Sequence, residues 1–303
     1  MIKRTLDIST GPTRLRIEND QLVIERDRME VGRAPCEDIG VLLIDHHAVT
    51  ATHAVFTRLL SFGAAVVFCG DDHLPTGILL PVTDNQLTAQ RMRVQLAASL
   101  PLRKQLWRQI VRAKVRAQAD NLPADSPVSR RLRAMSDEVV SGDRTNIEGQ
   151  AARLYWPALL GQDFRRDPEG PPPNNLLNYG YMVMRAAVAR AIVAAGLHPV
   201  FSLQHSNRAN TFALADDLVE VLRPRVDAVV LRLVQTGRTE IDRSAKTALL
   251  GLLAETVIVG DQSGPLMVQL HRVAASLLRC YEGSQKQLDL PTWPASFAQS
   301  EDS

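Results

Sequence analysis

The chain has 303 residues, of which 45% are hydrophobic and 22% charged, so it is long enough to bury one large core or two ordinary ones. No run reaches the roughly 18 apolar residues that a membrane span needs, and the first ten residues lack the apolar block of a signal peptide, so we place the protein in the cytoplasm. The three cysteines are far apart and form no CxxC pair, which argues against disulfides and against a thiolate zinc site.

The net charge of +2 is too small to indicate a nucleic-acid binder, but the charge is unevenly distributed. Residues 1–84 hold 8 basic and 12 acidic side chains, whereas the rest of the chain holds 27 basic and 21 acidic ones. A polyanionic partner should therefore meet the second part of the chain.

The first 84 residues have the pattern of a small β-rich domain. Short alternating segments up to residue 31, separated by turn residues at Gly11 and Asn19, predict a meander of antiparallel strands. The apolar run 39–44 predicts a more deeply buried strand. The remaining predicted elements are one helix at 50–61 and strands at 64–68 and 77–80.

From residue 86 onward apolar residues recur at spacings of three and four, which predicts a helical domain over 85–283. The predicted helices cover 86–100, 102–121, 128–139, 145–160, 176–195, 209–222, 228–234, 244–256 and 265–282. Residues 284–303 have little periodicity, and we expect a flexible tail there. The predicted fold class is therefore α+β: a small N-terminal β-rich domain (antiparallel strands plus one helix) followed by a larger all-α domain.

A candidate metal site lies in the stretch 202–224. Asp217 and Glu220 are three residues apart, so on a helix their carboxylates would share a face, and a divalent cation would favour both being ionised. His205 could add a nitrogen ligand, whereas Asp216 should point elsewhere, towards solvent. Carboxylates with one histidine and no cysteine favour Mg²⁺ or Mn²⁺ over zinc, and such a site suits phosphodiester chemistry.

Each of these residues also has a purely structural explanation. Glu148 lies three residues after Thr145, the spacing of a capping box at a helix start. His205 alone is more often a hydrogen-bonded histidine than a ligand, and Asp217 and Glu220 could form a solvated helix face. Only the combination favours a metal site. If the carboxylates repel one another, Glu220→Ala should leave the fold intact, because it relieves that repulsion.

Candidate DNA-binding residues lie outside the acidic cluster. Between residues 101 and 135 nine basic side chains face only two acidic ones, which fits either a solvated face or contacts with a phosphate backbone. Arg165 and Arg166, on the proline-rich loop 161–175, are placed to clamp a DNA strand or its end. Tyr179 could stack on an unpaired base, although a buried tyrosine is the ordinary explanation.

Several motifs in order resemble the CRISPR-associated spacer-acquisition integrase, the universal adaptation endonuclease, in its type II form. They are IGVLLIDHHAVTATHAV, FGAAVVFCGDDHLPTGILLPV, NIEGQAARLYW, DFRRDPEGPPPNNLLNYGY and DDLVEVLRP, and the resemblance runs from about residue 3 to about residue 283. It implies that Glu148, His205 and Glu220 are the metal ligands and that Asp217 assists directly or through water. Arg165, Arg166 and Tyr179 would handle the strand end.

The resemblance also implies the activity and the partners. The activity is metal-dependent insertion of a short prespacer DNA into a CRISPR array, by attack of its 3′-hydroxyl on a phosphodiester. The N-terminal domain would form a homodimer, and two dimers would flank a dimer of a small second adaptation protein in a heterohexamer. Two other hypotheses for the function remain open. One is a stand-alone, structure-selective nuclease that uses water as the nucleophile, and the other is a DNA-binding scaffold whose carboxylates are structural.

Overall fold

The computed structural model describes residues 3–71, 73, 75–82, 87–205 and 209–294. Its N-terminal part contains eight strands and one helix within these residues. They are β1 (Arg4–Ile8), β2 (Thr13–Glu18), β3 (Gln21–Arg26), β4 (Met29–Pro35), β5 (Ile39–Ile44), β6 (Val49–Ala51), α1 (His53–Ser61), β7 (Ala65–Cys69) and β8 (Pro75–Leu79). The strands form two four-stranded sheets, with the orders β1-β5-β7-β8 and β4-β3-β2-β6.

The predicted antiparallel meander is present only in β2, β3 and β4. Both hairpins turn through two residues with positive φ: Asn19 and Asp20 in the first, Asp27 and Arg28 in the second. Such turns match the twist of paired strands. β1 leaves the meander and pairs in parallel with β5, which corrects the prediction. Every residue of β5 is buried, so this strand needs a neighbour on each side, and β1 and β7 provide them.

The rest of the chain is helical, as predicted, with one added hairpin. Its elements are α2 (Thr88–Ala97), α3 (Leu100–Asp120), α4 (Pro127–Glu138), α5 (Ile147–Leu160), α6 (Asn174–Ala194), α7 (Ala213–Val219), α8 (Arg223–Gln235), α9 (Arg243–Gly251), β9 (Thr256–Val259), β10 (Gln262–Pro265) and α10 (Leu266–Tyr281). The fold class is confirmed, but the second part is not purely α. The β-branched run in β9, followed by a turn at Gly260 with φ +63°, was the overlooked signal.

The largest core joins the two parts. Alternate residues of β5 and β7, such as Val41 and Val67, belong to the same buried cluster as the helices, while Leu42 and Val66 belong to a second cluster with α1. α6 runs through the larger cluster, and Gly180 allows α8 to approach it closely, because a Cβ there would overlap Val226. The predicted domain boundary at residue 84 lies outside the described residues.

The expected flexible tail is wrong for the residues up to 294. Leu288 is buried, and its backbone N–H donates to Gln109 Oε1 at 2.8 Å. Thr292 forms a β-bridge with Ile258, and Trp293 donates from Nε1 to Glu255 at 2.8 Å. These apolar and hydrogen-bonded contacts fix a segment that has no periodicity of its own. Residues 295–303 lie outside the described part of the chain.

Candidate metal centre

Two glutamates distant in sequence converge on one buried cation. Lys114, on the inner face of α3, donates from Nζ to Glu148 Oε1 at 2.6 Å and to Glu220 Oε2 at 2.5 Å. Glu148 lies in the first turn of α5 and Glu220 directly after α7. The side chains of Lys114 and Glu220 are almost inaccessible, and that of Glu148 is 28% exposed. Three helices therefore bring two carboxylates to a single positive charge.

The start of α5 explains why the Glu148 carboxylate is available. The N-cap is Asn146, with φ 54°, and its side chain accepts from the backbone N–H of Gly149. Asp143 accepts from the N–H groups of Ile147 and Glu148. The predicted capping box with Thr145 is therefore wrong, because other side chains satisfy the helix start. The carboxylate of Glu148 reaches Lys114 instead.

Glu220 forms ion pairs with two basic side chains, Lys114 and Arg223. Its second oxygen, Oε1, lies 3.1 Å from Nη2 of Arg223. Burial alone would raise the pKa of Glu220, but the positive charges of Lys114 and Arg223 outweigh burial and hold that pKa below its ordinary value. Burial likewise opposes the charge on Lys114, and the two glutamates raise its pKa nonetheless. Both side chains are thus ionised at neutral pH.

Asp217 holds the loop that carries His205. It is fully buried, and its carboxylate accepts from the backbone N–H groups of Leu203, Gln204 and His205. The same carboxylate lies 2.5 Å from Nδ1 of His205, and this hydrogen bond raises the pKa of the histidine. Because a carboxylate only accepts, Nδ1 carries a proton, and Nε2 is the nitrogen left for a ligand.

The spacing predicted that the carboxylates of Asp217 and Glu220 point to one place, and in the structure they do not. Asp217 faces the 203–205 loop, and Glu220 faces Lys114. Asp216 was expected to face solvent, and that expectation is wrong: it forms a 2.8 Å ion pair with Arg185 and accepts from Asn210. Asp216, Asp217 and Glu220 therefore contact three different groups, and Glu220 lies just beyond the end of the helix at Val219.

The donor set suits a hard divalent cation, because two carboxylates already meet at one positive charge and a carboxylate-held imidazole approaches the same helix. The ring of His205 meets Trp107 edge-on at 5.7 Å, two turns before Lys114 on α3. Among the described residues, no three His, Cys, Asp or Glu side chains lie close enough together to hold a metal ion. The structure thus brings Glu148 and Glu220 together through Lys114, and the sharing of a cation with His205 stays a prediction.

The two loop arginines have different environments. Arg165 is exposed, and its Nη1 donates to the carbonyls of Gln162 and Phe164. Arg166 is half-buried: it donates to Asn174 and Asn178, and its guanidinium lies 5.4 Å from the centre of the Tyr181 ring. Arg223, the partner of Glu220, lies over the same ring at 4.8 Å. Tyr181 therefore links the proline-rich loop to the glutamate pair.

Tyr179 is not a DNA-stacking residue in this structure. Its ring is fully buried in the larger core, with Nζ of Lys246 6.0 Å from the ring centre, so no base can reach it. The prediction for Tyr179 is wrong because the apolar residues on either side in α6 place it on the inner face of the helix.

Most of the basic side chains between residues 101 and 135 form ion pairs with acidic side chains. Arg112 and Arg116 both bind Asp137 at 2.7 Å, Arg133 binds Asp120, and Arg131 binds Glu138. Asp137 and Glu138 lie just beyond the range in which the excess of positive charge was counted. These pairs favour a solvated helix face over a continuous phosphate-binding surface.

A groove of about 1460 Å³ follows the outer side of α3 and is lined on its other side by the segment after α10. Its α3 lining includes Gln105, Arg108, Arg112 and Arg116, a stripe at helical spacing that faces away from Lys114. Glu148, His205 and Glu220 do not line it. The groove is therefore separate from the candidate metal centre.

The two glutamates on a shared lysine and the carboxylate-held histidine, in a helical part that shares its core with a β-rich part, define a class: two-part α+β proteins whose helices bring acidic side chains together around a buried lysine. A comparison with known protein families then identifies the family within that class. Residues 6–256 match the family described as CRISPR associated protein Cas1, and the chain belongs to that family. The resemblance drawn from the sequence motifs is confirmed.

Individual relatives agree with this assignment. The chain is 35% identical over 296 residues to a protein of Neisseria meningitidis serogroup C named CRISPR-associated endonuclease Cas1, with 96% of each chain covered. A solved casposase bound to integration product has the same fold, with a TM-score of 0.78 at 18% identity and coverage of 96% and 93%. A Cas6-RT-Cas1–Cas2 complex gives a TM-score of 0.74 at 18% identity, covering 94% of this chain and 36% of that one.

None of the described helices is both long enough and apolar enough to serve as a membrane span.

Proposed function

We propose that this protein is a metal-dependent DNA endonuclease and integrase that inserts prespacer DNA into a CRISPR array. Family membership supports the biological setting, and a relative covering nearly the whole chain is named an endonuclease. The observation that carries the chemistry is the convergence of Glu148 and Glu220, from separate helices, on one buried positive charge. Bringing these carboxylates into a largely inaccessible position costs desolvation free energy, which favours a functional role over a purely structural one.

Glu148, Glu220 and Nε2 of His205 would hold Mg²⁺ or Mn²⁺. Such an ion, when bound, withdraws charge from a phosphodiester and acidifies a hydroxyl. Asp217 keeps the proton of His205 on Nδ1 and orients the ring, so it acts as a positioning residue and not as a ligand. Lys114 and Arg223 hold the Glu220 carboxylate in place from opposite sides.

The proposed reaction is a transesterification. The 3′-oxygen of the prespacer forms a bond to a phosphorus atom at the repeat boundary, the existing phosphorus–oxygen bond to the neighbouring nucleotide breaks, and the proton of the attacking hydroxyl leaves while the departing oxygen gains one. One phosphodiester replaces another, so no nucleotide cofactor is needed. Arg166 is better placed than Arg165 to contact the strand end, because it is fixed beside Tyr181 and Arg223.

The proposed partners are DNA, a second copy of this chain, and a small second adaptation protein, with two dimers of this chain and one dimer of the small protein in a heterohexamer. Support comes from a fold neighbour solved as a complex of Cas6-RT-Cas1 with Cas2.

Incubation with a prespacer and a supercoiled plasmid that carries a repeat tests this proposal, in Mn²⁺ or Mg²⁺ and with the small partner protein present. Joined strands are expected from the wild type, whereas Glu148→Gln and His205→Ala should abolish joining. Glu138→Gln is the matched control, because Glu138 is exposed and pairs only with Arg131 among the described residues. Nicking without joining would indicate the stand-alone nuclease, and binding without either reaction would indicate a scaffold.

A further inference from the structure

Among the described residues, Lys114 is the side chain that donates to both glutamates of the proposed metal centre. It comes from α3, 34 residues before Glu148 and 106 before Glu220, and its side chain is 11% exposed. Its ammonium lies at the place where the two carboxylates converge. A divalent cation shared by these glutamates would therefore meet a positive charge that is already present.

The charges of this cluster balance before any metal binds. Glu148 and Glu220 carry two negative charges, and Lys114 and Arg223 carry two positive ones. Asp217 lies outside this group of four, because its carboxylate is directed at His205 and at three backbone N–H groups and not at Lys114. A divalent cation entering beside both lysine and arginine is thus repelled by two positive charges that the glutamates already neutralise, in a largely buried site, which is unfavourable.

DNA supplies the negative charge that the cluster needs once a divalent cation has bound. Each phosphodiester carries one negative charge, so a strand end and a target phosphate together compensate a divalent ion. Binding of the metal and binding of DNA must then strengthen each other by the same factor.

We propose that Lys114 is a resident counter-ion that keeps divalent-metal binding weak until DNA phosphates enter the site, so that the metal and the DNA bind cooperatively. This inference rests on the metal centre of the proposed function. Lys114 acts through the two glutamates, and it is a positioning residue.

Titration of the full-length protein with Mn²⁺, followed by electron paramagnetic resonance of the free ion, tests this coupling. In the absence of DNA, Lys114→Met should bind Mn²⁺ about tenfold or more tightly than the wild type, because one positive charge beside the glutamates is gone. A DNA duplex with single-stranded 3′ ends should tighten Mn²⁺ binding about tenfold in the wild type and clearly less in the variant. Unchanged or weaker Mn²⁺ binding by Lys114→Met overturns the inference.

Lys246→Met is the matched control. Lys246 is also a buried lysine, and it pairs with the buried Asp45 of the N-terminal part. Its loss should lower stability but leave the Mn²⁺ affinity unchanged, so an effect of unfolding alone is separated from an effect of charge. Lys114→Arg should restore weak Mn²⁺ binding. If Lys114→Met does not fold, Lys114→Gln takes its place, with the same tightening expected.

The two proposals fail in different ways. If Glu148→Gln abolishes strand joining while Lys114→Met leaves Mn²⁺ binding unchanged, the proposed function stands and the role of Lys114 is wrong. If wild type and Glu148→Gln bind Mn²⁺ equally and join strands equally, the metal centre itself is wrong, and the inference falls with it.

Discussion

Glu220 neutralises two cations at once, and this determines what its loss should do. With Glu220→Ala, Arg223 loses a 3.1 Å partner and Lys114 keeps only Glu148. The sequence alone suggested that this change relieves repulsion and leaves the fold intact, but the structure shows paired charges instead. We therefore expect the free energy of unfolding to fall by about 3 kcal/mol, as when one partner of a buried ion pair is removed.

Urea unfolding in metal-free buffer measures this loss. Glu138→Ala is the control: its ion pair with Arg131 is about half exposed, so the cost should stay below about 1 kcal/mol. Equal stability of the two variants would show that the glutamate cluster is not held by Lys114 and Arg223.

Asp227 is a buried acid next to the site with a pH-dependent role in stability. It accepts from the hydroxyls of Tyr155 and Tyr181, and burial raises its pKa from 3.8 to about 7 despite those hydrogen bonds. The folded state therefore binds the proton more tightly than the unfolded chain. The contribution of this group to stability is full below pH 3.8 and is lost as the pH rises towards 7.

Asp227→Asn should remove this dependence. Between pH 5 and pH 8 the wild type should lose about 2 to 3 kcal/mol through Asp227, and the variant should not. The variant should thus gain stability relative to the wild type as the pH rises, which urea titrations at the two pH values measure. Parallel changes in both proteins would contradict a raised pKa at this position.

At the scale of elements, β4 is the exposed edge of its sheet and carries two large apolar side chains, Met29 at 67% and Val31 at 52% exposure. An edge strand with exposed apolar residues is a ready pairing surface. We therefore expect the proposed homodimer to use β4.

The double change Met29→Glu and Val31→Lys should shift the protein from twice the chain mass towards the mass of one chain, as measured by light scattering. Leu79→Lys is the matched control, because Leu79 is an exposed residue on β8, the edge of the other sheet. It should leave the mass unchanged. A dimer that survives the double change and dissociates with Leu79→Lys would place the interface on the other sheet.

Periodicity predicted most elements but not how they pair or end. The apolar spacing located α3, α6 and α10 well, because these helices bury one face along their full length. It failed at β1, since strand pairing depends on distant neighbours. It also extended α7 to 209–222, because the apolar spacing continues into the short break before α8, and it began α8 too late, at 228.

At the scale of the whole molecule, some residues of the candidate site could be predicted from the sequence and others could not. Glu148, His205, Asp217 and Glu220 could be chosen because acids and a histidine stand close together or in recognisable motifs. Lys114 could not, because it lies among other basic residues and meets partners 34 and 106 positions away only after three helices pack. Its contact with both glutamates is a property of the tertiary fold.

The shared core also determines how the two parts should behave. Val41 and Val67 of the first sheet belong to the same buried cluster as α6, so the N-terminal part fixes the helix that carries Tyr181 and, through α8, Arg223. The site is therefore supported by the whole chain and not by the helical part alone.

In the proposed metal centre, Glu148, His205 and Glu220 share one divalent ion. Crystals of the protein with DNA, grown in Mn²⁺ and measured at the manganese absorption edge, test it most directly. We expect an anomalous peak from a manganese ion bound by oxygens of Glu148 and Glu220 and by Nε2 of His205, with Nδ1 of His205 still hydrogen-bonded to Asp217. A manganese ion bound elsewhere, or Lys114 still bridging both glutamates with no ion beside them, would contradict it.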